Sequence, residues 1–173
     1  MVDNLTERVQ GSRNKFEELV AKIPGYRGYK QKEERREADK LLRLHIARQY
    51  DEQLARLNEL QFALTSSKRL DLVVVLERAA TKLQLLIDRL KTASYGYAGL
   101  FDAVKVDEDV LDRMYDFDEG MLAGVDQLSA LLDTMFEAVA SEALTVVDAN
   151  KLVSQLDALN NTFSQRQDII LEA

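Results

Sequence analysis

The stretch Leu41–Leu64, LLRLHIARQYDEQLARLNELQFAL, decides the fold. From Leu41 on, Leu42, Ile46, Tyr50, Leu54, Leu57, Leu60 and Leu64 recur every three or four residues, so a helix gathers them on one face. A face of that length needs other helices to cover it, and the pattern returns three times downstream. Leu72, Leu76, Ala79, Leu83, Leu86 and Leu90 make a second stripe. Met114, Met121, Val125, Leu128, Leu132, Met135 and Val139 make a third, with the alternating steps of a left-handed bundle seam and with Phe117 filling in where Asp118 interrupts it. Ala149, Leu152, Leu156, Leu159, Phe163 and Ile170 make a fourth.

Turn and cap residues divide the chain around these stripes. An N-terminal amphipathic helix is expected from Asn4 to Ile23, with Leu5, Val9, Phe16, Leu19, Val20 and Ile23 on one side, ended by Pro24-Gly25. The long helices are expected at 28–64, 68–92, 107–139 and 145–171. Thr65-Ser66-Ser67 offers hydroxyl caps to the helix that follows, Asp107 an acidic cap, and Thr145 with Asp148 a capping box. Val73-Val74-Val75 makes the start of the 68–92 helix apolar almost all round, which marks it as the most buried part of the chain. The fold expected is all-α: an antiparallel four-helix bundle over 28–173, with residues 1–27 as an additional N-terminal helix and Pro-Gly turn.

Composition agrees. The 173 residues suit one domain, and 46% apolar with 31% charged residues is too apolar for disorder and too charged for a membrane-spanning chain. One proline and seven glycines leave the helix formers dominant, while the absence of cysteine excludes disulfides, thiol catalysis and cysteine metal sites. No secretory leader is visible at Met1–Glu7, so a cytoplasmic location is the expectation. The net charge of −7 hides a gradient: 12 Lys/Arg against 8 Asp/Glu in residues 1–50, 7 against 6 in 51–93, and 4 against 16 in 94–173. Such a dipole favours head-to-tail self-association or a partner of opposite sign.

The residues that carry chemistry are few. The only histidine, His45, follows Leu42 by three residues, so the Glu-x-x-His pairs of a di-iron bundle are absent and a helix-surface role is expected. No catalytic residue, metal ligand or cofactor is assigned, and the chain is read as no enzyme. The acids Asp109, Asp112, Asp116 and Glu119, continued by Asp126, Asp133 and Glu137, share the face opposite the apolar seam. Solvation alone accounts for that face; the sharper reading is a docking surface for a basic partner. Arg27, Lys30, Lys32, Arg35, Arg36, Lys40 and Arg43 form the complementary run, diluted by Glu33, Glu34, Glu37 and Asp39. With a pI near 4.9, nucleic acid is not the expected partner.

Two further segments, Pro24-Gly25-Tyr26-Arg27-Gly28-Tyr29 and Tyr95-Gly96-Tyr97-Ala98-Gly99, fall toward one end of the expected bundle. Tyr26, Arg27, Tyr29, Tyr95 and Tyr97 suit aromatic end-packing, or alternatively a groove that binds a ligand or a partner's peptide. Gly120 and Gly124 inside a helix call for a close helix contact or a slight bend. The function expected is a structural or protein–protein interaction bundle, an adaptor or a self-assembling one. The alternative is a peripheral protein of a membrane surface using the N-terminal helix and the basic start of the next; a small-molecule or metal-binding bundle comes third.

Overall fold

The computed structural model describes residue 18 and residues 32–93 and 108–171. Apart from Glu18, the expected N-terminal helix lies outside them. The protein is all-helical over these residues: α1 (Lys32–Ser66), α2 (Leu70–Thr92), α3 (Glu108–Ala140) and α4 (Val146–Leu171). At the two turns, where residues on both sides are described, the bounds fall within two residues of those expected, because the turn residues that interrupt each leucine stripe also end each helix.

The four helices close a ring in which α1 packs on α2, α2 on α4, α4 on α3, and α3 on α1. Short turns join α1 to α2 and α3 to α4, so each pair is a hairpin of opposed helices; Lys91 near the end of α2 reaches back to Asp51 in α1 at 2.6 Å. Across the hairpins the sense is the reverse. Tyr50 and Arg56 of α1 contact Met121 and Ser129 of α3, and Arg69, Lys82 and Arg89 of α2 contact Leu144, Asp157 and Ser164 in the second hairpin, so positions rise together. Neighbours across the hairpins thus run parallel, where the sequence reading takes every neighbour as antiparallel. Placing α2 beside α4 and α1 beside α3 leaves α2 and α3, consecutive in the chain, on a diagonal.

The leucine stripes meet in the middle of the ring. Leu42, Ile46, Tyr50, Leu57, Leu60, Leu72, Leu76, Leu83, Leu86, Met121, Leu128, Leu132, Leu152 and Leu156 are all removed from solvent, the dominant favourable contribution to folding. Two expectations about this core are corrected. Val74 is 60% exposed, because α2 touches helices only on the Leu72 side and its two flanks, and Val74 stands about 200° round the helix from Leu72. Asp118 is only 1% exposed and continues the α3 seam, whereas Phe117 is half-buried. Arg43, 3% exposed on the parallel neighbour α1, places a buried cation at the same end of the bundle.

The two hairpin turns are built alike. Lys68 (φ 62°) and Glu142 (φ 56°) take the left-handed conformation, each two residues past the end of its helix. Arg69 N–H donates to the Leu64 carbonyl (2.9 Å) and Ala143 N–H to the Ala138 carbonyl (2.8 Å), the wide closing bond of a Schellman cap. The expected hydroxyl caps on α2 are absent. Thr65, Ser66 and Ser67 lie in or beside the last turn of α1 and donate back to the carbonyls of Gln61, Phe62 and Ala63, leaving the α2 N-cap, Arg69, without a side-chain cap. At α4 the capping box forms: Asp148 N–H donates to Thr145 Oγ1 and Thr145 N–H to Asp148 Oδ2, each 3.3 Å.

Candidate interaction surfaces

Gly124 and Tyr50 set the spacing of the first cross-hairpin seam. Tyr50 is fully buried and its hydroxyl donates to the Met121 carbonyl at 2.8 Å; burial pushes the phenol above its ordinary pKa. A Cβ on Gly124 would stand 2.6 Å from Tyr50 Oη and 2.7 Å from Leu159 Cδ2, so only glycine permits this approach. Gly120, one turn earlier, has open space instead. The pair of glycines thus separates into one close contact and one position without it.

Beside this contact, Arg56 of α1 grips α3. Its guanidinium donates to Ser129 Oγ at 2.9 Å, ion-pairs with Asp133 and lies 5.8 Å from the Phe136 ring centroid. The second seam repeats the device. Arg89 of α2 donates to the Asn160 carbonyl (2.9 Å) and Ser164 Oγ (2.8 Å) and stacks 4.8 Å from the Phe163 centroid, while Lys82 pairs with Asp157. Asn160, 8% exposed, donates its amide to the Lys82 and Leu156 carbonyls at 3.0 Å each.

These contacts give the charge gradient a structural use. Residues 32–92 carry 13 Lys/Arg against 10 Asp/Glu, and residues 108–171 carry 3 against 13. The ion pairs Arg56–Asp133 and Lys82–Asp157 each run from a cation of the first hairpin to an acid of the second. Part of the lopsidedness therefore holds the two hairpins together.

The remaining surface divides unevenly. Of the expected acidic face, Asp116 and Glu119 are exposed on α3, as are Asp126 and Glu137; Asp109 and Asp112 lie in its first turns; Asp133 is engaged by Arg56. Lys32, Arg35 and Arg36 lie on the first turns of α1. Tyr26, Arg27, Tyr29, Tyr95 and Tyr97, and with them the tyrosine-lined end, lie outside the described residues. His45 is half-buried on α1. Among the described residues no group of acidic or histidine side chains is placed to hold a metal ion, and no helix is long and apolar enough to cross a membrane.

What the sequence reading overlooks is apolar and outward-facing. Eight large apolar residues of the described set are exposed, six of them on the first hairpin: Leu41, Leu44, Phe62, Leu70, Val74 and Leu85. The other two, Val146 and Val147, open α4. Phe62 at 75% and Val147 at 65% exposure are the extremes. Two of them carry a sequence signal that points inward, Leu41 at the head of the first apolar stripe and Val74 in the unbroken Val73–Val75 run, and both face solvent instead. Comparison with protein-family models, curated proteins and solved structures finds no match to this chain.

Proposed function

We propose that this chain is a non-enzymatic interaction module, an adaptor or self-assembling bundle whose outer surfaces do the work. One observation carries the reading: the exposed large apolar side chains collect on the first hairpin and at the start of α4, against an otherwise polar and strongly acidic second hairpin. Large apolar side chains gathered on one part of an otherwise polar surface mark a surface that meets something. The reading includes a cytoplasmic location, residues 4–23 as an amphipathic fifth helix, and a protein, this one or another, as the partner.

Photo-cross-linking tests it. With benzoylphenylalanine in place of Phe62 or Leu85, in cells that make the protein, discrete protein adducts are expected. Asp126 and Gln127, exposed on α3, serve as controls expected to give few. Absence of adducts from Phe62 and Leu85 contradicts the reading.

A further inference from the structure

At the end of the bundle where both turns lie, two opposite charges stand apart. Lys68 in the first turn and Glu142 in the second are exposed, and among the described residues neither forms a salt bridge. A depression of about 320 Å³ lies between the turns, floored by Leu64, Val139 and Leu144 and walled in part by Glu142. Next to it Leu70 opens α2 with 61% exposure, and Val146 and Val147 open α4 with 39% and 65%. The Arg69 guanidinium, donating to the Leu144 carbonyl at 3.3 Å, ties these two helix starts together.

We propose that a second copy of this chain docks head to head on this turn end, about a two-fold axis; the proposal rests on the interaction reading and names the partner and the surface. The ring order makes the two turns run side by side. A two-fold axis across the end face, midway between them and parallel to both, sets the first turn of each copy over the second turn of the other. Lys68 then faces the other copy's Glu142 twice, and Leu70 faces the other copy's Val147 twice. One symmetry operation satisfies the charges and the apolar residues together, as an isologous contact requires. The apolar stem of each Lys68 enters the opposite depression while its ammonium reaches the acidic wall.

The size of the surface sets the strength. The exposed apolar atoms amount to a few hundred Å² per copy, in the range of the largest patches on monomers, and two copies bury roughly 1,000 Å², the lower edge of specific interfaces. The dimer is accordingly weak and reversible, with a dissociation constant on the order of micromolar to tens of micromolar.

Sedimentation equilibrium of the full chain, from about 1 µM to 1 mM, is the test. The wild type is expected to shift from monomer to dimer and no further. Lys68→Glu and Glu142→Lys each replace two attractions by two repulsions and are expected to weaken the dimer roughly tenfold. The combined K68E/E142K protein restores it, an outcome that general damage to the turns does not give. Val147→Glu abolishes association while leaving the thermal unfolding of the monomer nearly unchanged, since that side chain is already in solvent. A chain that stays monomeric throughout overturns the proposal, as does a dimer indifferent to all of these changes, or growth into open-ended assemblies. A monomer that still gives adducts from Phe62 leaves the interaction reading standing and removes only the self-docking.

Discussion

The two seams that join the hairpins run in the same sense but are closed by different means. Along α1 and α3 the backbone comes close: a buried tyrosine lies against Gly124 and bonds the Met121 carbonyl. Along α2 and α4 a buried amide, Asn160, bridges both helices through carbonyls of Lys82 and Leu156. An arginine set against an aromatic ring accompanies each seam, Arg56 with Phe136 and Arg89 with Phe163. The comparison separates two ways of fixing register. Steric fit tolerates no added atom, whereas a satisfied polar group tolerates no lost partner.

The largest expected effect breaks the steric seam. Gly124→Leu is expected to cost about 3 kcal/mol or more in urea unfolding, since its first added atom already meets Tyr50 and Leu159. Gly124→Ala costs less, because about 1 kcal/mol of helix propensity returns, and Gly120→Ala, with open space around it, gains up to about 1 kcal/mol. Equal responses at the two glycines would remove the close approach from the account. Tyr50→Phe sharpens the point: alone it costs roughly 1 kcal/mol for the lost hydrogen bond, and in the Gly124→Ala background less, because it deletes one of the two groups the new methyl meets. A double-mutant cycle reads that coupling.

The polar seam should respond next. Asn160→Ala is expected to lower stability by about 1 to 3 kcal/mol through its buried hydrogen bonds, measured by the same unfolding curves. Loss confined to a few tenths would show that the amide is incidental.

The turns offer a smaller test common to both hairpins. Lys68→Gly and Glu142→Gly each relieve a left-handed non-glycine residue and are expected to raise stability by up to about 1 kcal/mol. A gain at one turn and a loss at the other would contradict their equivalence.

The smallest effect is the acid response of the α4 cap. The hydroxyl of Thr145, and then Lys151, hold the Asp148 carboxyl down at about 2. Because the folded value lies below the unfolded one of roughly 4, the contribution is complete above that pH and is lost as pH falls toward 2. Amide exchange at the start of α4 should quicken over that window in the wild type, and much less so in Asp148→Asn.

The sequence made the helices legible because each leucine stripe is long, and a serine-, glycine- or proline-containing break ends it. The Thr145–Asp148 box was legible for the same reason: a local motif needs only local chemistry. Ring order was not, because Arg56 and Asp133, or Lys82 and Asp157, look like any surface charges until the helices are set side by side. Asp118 misled because an acid in a seam reads as an interruption, whereas its side chain is buried in line with the apolar residues of α3. Val73–Val75 misled in the opposite direction: a face apolar all round fits a fully surrounded helix, whereas α2 has neighbours on only part of its circumference. The turn-end surface has no signature in the sequence because Leu70, Val146 and Val147 stand at helix starts and share no period.

The parallel placement of α1 beside α3, on which both the seams and the turn-end surface depend, has a direct test. The chain lacks cysteine, so paired cysteines at exposed Arg48 or Glu59 on α1 and Glu119 or Ala130 on α3 take spin labels at those sites alone. The account predicts shorter distances for the matched pairs, Arg48 with Glu119 and Glu59 with Ala130, than for the crossed pairs, Arg48 with Ala130 and Glu59 with Glu119, which an axial offset of about 16 Å separates further. Crossed pairs shorter than matched ones would mean that α1 and α3 run antiparallel, and would contradict it.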